Sequence, residues 1–135
     1  MLFRSDIDAV PKGLSMDELS PYVHKVAIEH DLPMDWLNPW YASFTYVLPE
    51  DYASRLLLVF SGKNLAVEAL GKDDLLLMKC FAHRPKDVPH ARALVRARAN
   101  VNFVFARIQM LAAGNIPDCQ LAADFLDEII DLENP

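Results

Sequence analysis

The fold is decided by residues 70–94, which read LGKDDLLLMKCFAHRPKDVPHARAL. Asp73 is a typical N-cap residue, and the positions from Leu75 to Phe81 are apolar almost without interruption. This pattern predicts a largely buried helix whose exceptional residue is Lys79. Because an isolated charge is costly to bury, we expect a carboxylate or a phosphate oxygen next to this lysine.

A basic turn follows this helix and contains Arg84, Lys86 and Asp87. About two helical turns and a proline turn separate it from Lys79. Cationic side chains in such an arrangement can bind phosphate oxygens and neutralise the charge that develops in phosphoryl transfer. In the structural alternative, Lys79 extends its stem to the surface and the three loop residues are ordinary solvated side chains.

Outward from this stretch, alternating and apolar runs predict three strands, at residues 2–10, 55–60 and 65–70. The last two flank a Ser-Gly-Lys-Asn loop of the kind that closes a β-hairpin. Helical periodicity with capping or breaking residues predicts four further helices, at residues 21–31, 90–99, 101–113 and 118–132. Residues 33–49 are rich in proline and aromatic side chains and are interpreted as a packed connector.

The composition is typical of one α+β domain. The chain has 135 residues, of which 53% are hydrophobic and 24% charged, enough to bury one core. We therefore expect a single domain over residues 1–135, with a strand, helix and hairpin part in residues 1–71 and a mainly helical part in residues 72–135. A small mixed or antiparallel sheet should be covered by helices.

The sequence also bears on location and redox state. No apolar run approaches the roughly 18 to 20 residues that span a bilayer, and charged residues interrupt the first ten positions. The chain is therefore predicted to be soluble and cytoplasmic, with no membrane partner. Cys80 and Cys119 lie in apolar surroundings without neighbouring cysteine or histidine ligands, which predicts buried thiols rather than a disulfide or a zinc site.

Charge is distributed unevenly around a net value of −6. Residues 72–107 carry eight basic and three acidic side chains, whereas residues 108–135 carry six acidic side chains and no basic one. A phosphate-bearing ligand would therefore be best tolerated between residues 72 and 107. Alternatively, Arg92, Arg96 and Arg98 form a solvated helix face that pairs with the acidic C-terminal segment.

The first predicted strand presents two carboxylates, Asp6 and Asp8. In a strand, residues at i and i+2 project to the same face. Magnesium combines a few carboxylate oxygens with substrate phosphates, so this spacing is suited to presenting a metal-bound triphosphate for in-line attack. The alternative is a merely polar strand end, since an Asp-x-Asp pattern alone has low specificity.

Together these segments resemble the AbiEii-type proteins of the minimal nucleotidyltransferase superfamily. The resemblance covers about residues 4–95. It rests on the Asp-Ile-Asp strand, the helix leading to Asp-Trp-Leu-Asn at residues 35–38, the hairpin, and residues 70–94 with their mid-helix lysine and Arg-Pro-Lys-Asp turn. It implies a nucleotidyltransferase-like fold.

The resemblance also assigns roles to the candidate residues. The implied catalytic residues are Asp6, Asp8, Lys79 and Asp87, of which Asp6 and Asp8 would bind Mg²⁺, while Arg84 and Lys86 would bind the nucleotide. The implied reaction is Mg²⁺-dependent transfer of a nucleotide from a nucleoside triphosphate to a protein or RNA acceptor. The family's Gly-Gly or Gly-Ser segment before this strand has no counterpart in the five residues preceding Asp6, so we expect weak or absent transfer by this form.

A function of a different class is a non-catalytic interaction module. In that interpretation the chain is a partner in a toxin–antitoxin or phage-defence system and binds a cognate antitoxin or a second copy of itself. Nucleotide transfer that depends on Asp6 and Asp8 would separate the two interpretations.

Overall fold

The computed structural model describes residues 7–39 and 43–134. The chain divides between Thr45 and Tyr46 into two compact units. Among the described residues, the first unit contains a short parallel strand pair and one long helix, and the second contains a β-hairpin and four α-helices. The α+β class and the helical C-terminal half predicted from the sequence are both confirmed.

In the first unit, strand β1 (Ile7–Asp8) pairs in parallel with strand β2 (Leu37–Asn38). Helix α1 (Met16–His30) connects them, which makes a short βαβ unit. The Ala9 N–H extends the pairing by donating to the Asn38 carbonyl at 3.0 Å. Of the strand predicted over residues 2–10, β1 is present, while residues 2–6, which include Asp6, lie outside the described residues.

Helix α1 begins earlier than predicted, because a stronger cap than Ser20 lies upstream of it. The Ser15 hydroxyl accepts from the Glu18 N–H at 3.1 Å, and the Glu18 carboxylate accepts from the Ser15 N–H at 2.7 Å. This reciprocal capping box satisfies two amide groups that would otherwise lack partners. Pro21, predicted as the first helical residue, therefore lies inside the helix.

The second unit contains the predicted hairpin. Strands β3 (Leu57–Ser61) and β4 (Ala66–Ala69) pair antiparallel, with a bulge between Leu58 and Phe60. The sequence predicts one small sheet, but in the described residues the β1–β2 pair and the hairpin form separate two-stranded sheets. Alternating patterns identify strands without identifying which strand edges pair.

Four helices form the core of the second unit: α2 (Lys72–Ala82), α3 (Val88–Arg96), α4 (Val101–Ala113) and α5 (Cys119–Glu133). Helix α2 packs against the other three. The largest fully buried apolar side chains of this core are Leu76, Leu77, Met78, Val104, Leu126 and Ile129. The central position of α2 explains its nearly continuous apolar sequence, because every face of a central helix meets a neighbour.

Helix α2 is capped by Gly71 and not by the predicted Asp73. The Asp73 carboxylate instead accepts a hydrogen bond from the Asn100 N–H, at 2.7 Å, where α4 begins. A Cβ added to Gly71 would lie 3.0 Å from the Arg55 carbonyl oxygen, so the backbone leaves little room for a side chain there. Asp73, which resembles an N-cap in the sequence, therefore links α2 to the start of α4.

The thiol prediction is confirmed. Cys80 and Cys119 are free and buried, and burial raises the pKa of the Cys80 thiol to about 12. Of the helices within residues 7–39 and 43–134, none is both long and apolar enough to cross a membrane.

Candidate functional site

A buried ion pair lies at the C-terminal end of α2, where the sequence predicted a carboxylate or phosphate partner for Lys79. Lys79 lies in the last turn of the helix and is 7% exposed. Asp87 ends the 3₁₀-helix Pro85–Asp87 and is 1% exposed. The Lys79 Nζ lies 2.9 Å from the Asp87 Oδ1, so the lysine has a carboxylate partner from its own chain.

Arg84 completes a group that we call the Asp87 cluster (Lys79, Arg84 and Asp87). The Arg84 Nε donates to Asp87 Oδ2 at 2.7 Å and its Nη2 donates to Oδ1 at 3.0 Å, which makes a bidentate pair. The Arg84 backbone N–H also donates to Oδ2, at 3.2 Å. Each oxygen of Asp87 thus accepts two hydrogen bonds, and this one side chain fixes the turn that follows α2.

The Asp87 cluster keeps its carboxylate ionised. Burial by itself raises the pKa of Asp87, but the hydrogen bonds and positive charges of Arg84 and Lys79 outweigh burial and hold the pKa below its ordinary value. The interpretation in which Lys79 extends into solvent and Asp87 is a solvated loop residue is therefore wrong, because both side chains are buried.

The geometry of the Asp87 cluster favours positioning of cations over binding of a metal. Both oxygens of Asp87 are occupied, so a metal ion at this carboxylate would have to displace Lys79 or Arg84. The Arg84 side chain is 25% exposed and Lys86 is exposed, so the same turn presents positive charge to solvent. This surface is able to contact an anionic group such as a phosphate.

A second buried ion pair, which the sequence analysis missed, lies at the other end of α2. Asp74 is fully buried and accepts from Arg55 Nε at 2.8 Å and from Arg55 Nη2 at 3.0 Å. Arg55 also pairs with Asp51 at 2.9 Å. The hydrogen bonds that Arg55 donates to Asp74 and Asp51 raise the pKa of Arg55 above its ordinary value. Spacing carried no signal here, because Arg55 and Asp74 are 19 residues apart.

In the first unit, Asp8 ends strand β1 and is partly exposed. Its register partner across the parallel pair is Asn38, and residues directly opposite each other in a sheet project to the same face. Asn38 is therefore an oxygen donor beside Asp8 to which the sequence analysis assigned no role. Its position could have indicated this, because Asn38 follows the connecting helix, where the strand that pairs in parallel with β1 is expected.

The basic face of α3 has a structural explanation. Arg92 and Arg96 both pair with Glu133 near the end of α5, which confirms part of the alternative interpretation of the charge distribution. Within residues 7–39 and 43–134, no group of three or more His, Cys, Asp or Glu side chains is arranged to hold a metal ion. The basic residues of the turn after α2, Arg84 and Lys86, remain candidates for phosphate contact.

Comparison with known proteins supports the resemblance to nucleotidyltransferases. Residues 1–126 match a family described as a nucleotidyltransferase of unknown function (DUF6036), a span that includes Asp6, Asp8 and the whole Asp87 cluster. This match does not single out the AbiEii type. No curated protein and no solved structure gives a significant match. Because the family match covers most of its length, the chain belongs to the DUF6036 family of nucleotidyltransferases of unknown function.

Proposed function

We propose that the chain transfers a nucleotide from a nucleoside triphosphate to a protein or RNA acceptor in a Mg²⁺-dependent in-line reaction. The family match over residues 1–126 carries this proposal, because it covers the Asp-Ile-Asp segment and the Asp87 cluster in one span. Both are places where a nucleotidyltransferase would need charge: carboxylates for the metal and cations for the phosphates.

The metal would be held by the carboxylates of Asp8 and Asp6. Mg²⁺ prefers hard oxygen ligands and keeps positions open for water and substrate phosphates. Asp8 is partly exposed and has the Asn38 side chain beside it, a donor set that suits a partly hydrated cation. Asp6, two positions earlier, would add a second carboxylate. Bound Mg²⁺ would neutralise phosphate oxygens and stabilise the charge that develops during transfer.

The Asp87 cluster would supply oriented positive charge. We assign contact with the nucleotide to Arg84 and Lys86, which reach the surface, and place Lys79 behind them in the same cluster. Asp87 is then a positioning residue, since its carboxylate holds Lys79 and Arg84 in one arrangement. Orientation of this kind accounts for a large share of the catalysis of phosphoryl transfer.

We favour the AbiEii type within the superfamily, on the pattern of residues 70–94, which would place the protein in a toxin–antitoxin or phage-defence system. A second candidate function is a non-catalytic interaction module that binds a cognate antitoxin. One observation favours it: the oxygens of Asp87 are already saturated by donors from the chain itself, as in a purely structural ion cluster.

Label transfer tests the proposed reaction. The purified chain is incubated with each α-³²P-labelled nucleoside triphosphate, Mg²⁺, and either total RNA or a protein extract. We expect weak Mg²⁺-dependent labelling of a macromolecule, and we expect Asp8→Asn to abolish it. Asp17→Asn removes an exposed carboxylate of the same unit and should leave transfer unchanged.

Binding of Mn²⁺, followed by electron paramagnetic resonance, separates the metal site from catalysis. Asp8→Asn should weaken binding at least about tenfold, whereas Asp17→Asn should not. Transfer or Mn²⁺ binding that Asp8→Asn leaves unchanged would contradict the metal assignment. No transfer from any triphosphate, together with tight binding of one cellular protein, would favour the interaction module.

A further inference from the structure

His83, directly after α2, carries a polar atom that the fold does not satisfy. Its Nδ1 is buried without a hydrogen-bond partner, and within residues 7–39 and 43–134 no other buried side-chain nitrogen or oxygen lacks one. Leaving a buried polar atom unpaired costs free energy, so its retention calls for an explanation. The residue as a whole is partly exposed, and Nε2 is the ring nitrogen that a ligand is able to reach.

Capping of α2 does not require an imidazole. His83 has a left-handed backbone with a φ of 37°, and its N–H donates to the Lys79 carbonyl at 2.8 Å. Helix α1 ends in the same way at Asp31, which has a φ of 52° and an exposed side chain. Glycine or asparagine is the usual residue at such a position. Capping alone therefore explains neither the histidine nor the burial of its Nδ1.

The Asp87 cluster holds the backbone on both sides of His83. The N–H of His83 binds the Lys79 carbonyl, and the N–H of the next residue, Arg84, donates to Asp87 Oδ2 at 3.2 Å. The Lys79 ammonium closes this ring of contacts by donating to the same carboxylate at 2.9 Å. His83 is thus fixed directly before Arg84, a residue assigned to contact with the nucleotide. A side chain on such a rigid turn loses little conformational freedom when a ligand binds.

We propose that His83 is a phosphate-binding residue, which donates its Nε2–H to a phosphate oxygen of the nucleoside triphosphate. The tautomer follows from the burial of the ring. A proton on Nδ1 would be enclosed without an acceptor, whereas a proton on Nε2 is able to bind water or a ligand. The proposal rests on the nucleotide contact assigned to Arg84 and Lys86, and it does not require that transfer occurs.

The chemistry of the turn favours a phosphate group as the ligand. Arg84 is 25% exposed on its side chain and Lys86 is exposed, so both bring positive charge to the residues that follow His83. A hydrogen bond to an ionised oxygen is stronger than one between neutral groups. A donor at Nε2 would therefore add a directed contact to the charge that Arg84 and Lys86 provide.

Inorganic tripolyphosphate with Mg²⁺ is a suitable probe, because it has the phosphate chain of every nucleoside triphosphate and no base. Isothermal titration calorimetry of the full chain gives its dissociation constant. We expect His83→Asn to weaken binding at least about tenfold, since asparagine suits the left-handed cap but does not reach the position of Nε2. His83→Gln extends an amide N–H further and should recover part of this loss. Asp31→Asn, at the equivalent cap of α1, is the matched control and should bind like the wild type.

Nitrogen-15 NMR of the histidine rings tests the wild-type chain directly, even if a variant fails to fold. At about pH 8, where an ordinary imidazole is neutral, we expect the Nε2–H tautomer at His83. Tripolyphosphate should shift the Nε2 resonance of His83, while the exposed His24 and His30 of the first unit provide unshifted references.

The outcomes separate this role from the proposed reaction. An Nδ1–H tautomer at His83, binding that His83→Asn leaves unchanged, or equal losses in His83→Asn and His83→Gln would each overturn the proposal. Absent nucleotide transfer with intact tripolyphosphate binding that depends on His83 would contradict the reaction and support the role of His83. A wild-type chain that binds no tripolyphosphate would overturn both this proposal and the assignment of Arg84 and Lys86.

Discussion

The two ends of α2 bury charge in different ways. At the N-terminal end, Asp74 pairs with Arg55, and at the C-terminal end Lys79 pairs with Asp87. Both ends follow the helix dipole, which favours a negative charge in the first turn and a positive charge in the last. The shared rule explains why each charge is tolerated, but it does not explain their different surroundings.

The two pairs differ in how their charges are neutralised. Arg55 is 28% exposed, shares its charge with Asp51 and lies 5.4 Å from the centroid of the Phe103 ring. The Lys79 side chain is 8% exposed, and its carboxylate partner is 1% exposed. A charge left alone at the N-terminal end still has water and a second partner. An unpaired charge at the C-terminal end has much less access to water or to a second partner. We therefore expect loss of a partner to lower the free energy of unfolding more at the C-terminal end than at the N-terminal end.

The largest effect is expected for Asp87→Asn. This substitution keeps the side-chain shape but leaves the Lys79 ammonium buried without its counter-ion. Removing one partner of a buried ion pair costs about 3 to 5 kcal/mol, because the remaining charge stays desolvated. Urea unfolding at neutral pH should show this loss in the free energy of unfolding.

The double variant Lys79→Met with Asp87→Asn tests the explanation. It removes both charges of the pair and leaves an amide oxygen that is able to accept from Arg84. We expect it to be more stable than Asp87→Asn alone by at least about 1 kcal/mol. A double variant whose loss equals the sum of the two single losses would show that Asp87 does not act through Lys79.

The same cluster predicts a pH dependence. The pKa of Asp87 in the folded chain lies below its ordinary value of 3.8, since Arg84 and Lys79 outweigh the effect of burial. The folded state therefore gains stability from the ionised carboxylate above that value and loses it as the pH falls through the lower, folded pKa. The difference in unfolding free energy between wild type and Asp87→Asn should be constant from pH 7 to about 5 and shrink below about 4. A difference that stays constant down to about pH 2 would refute this account.

The C-terminal end of α2 could be predicted from the sequence because its signal is local. Lys79 and Asp87 are eight residues apart, and one helix end and one short turn bring them together. The sequence left open whether the lysine's partner is a phosphate or a carboxylate, since either would neutralise a buried ammonium. Arg55 and Asp74 lie on either side of the hairpin in the chain, so their contact depends on the hairpin's path, and in the sequence Asp74 looks equivalent to its neighbour Asp73.

The fold shows the same distinction between local and distant signals. Helix α4 occupies the predicted residues 101–113, where periodicity and the Gly114 stop coincide. Helix α1 begins at Met16 because the Ser15 cap is stronger than the predicted one. Strand partners were not predictable, because a short alternating pattern is compatible with several neighbours.

At the N-terminal end of α2, Asp74→Asn should have a smaller effect than Asp87→Asn. Arg55 loses one partner but keeps Asp51 and access to water. We expect a loss of about 1.5 to 3 kcal/mol in urea unfolding, typical of a hydrogen bond to a charged group. Asp51→Asn removes the exposed partner and should cost less than about 1 kcal/mol. A loss for Asp74→Asn that equals or exceeds that of Asp87→Asn would reverse the comparison.

A modest effect is expected for Gly71→Ala, at the start of α2. The added Cβ would lie 3.0 Å from the Arg55 carbonyl oxygen, which is backbone and has little freedom to move. Alanine is also a poorer N-cap than glycine. We expect a loss of about 1 kcal/mol and a melting temperature lower by about 3 to 5 °C.

Gly114→Ala is the matched control for this prediction. Gly114 has a φ of −86°, and an added Cβ would be 3.5 Å from the nearest atom, an ordinary contact. The melting temperature of this variant should stay close to that of the wild type or rise slightly, because alanine reduces the conformational entropy of the unfolded chain. If Gly71→Ala melted no lower than Gly114→Ala, the backbone near Arg55 would be able to yield, and the N-terminal end of α2 would be more adaptable than its buried ion pair suggests.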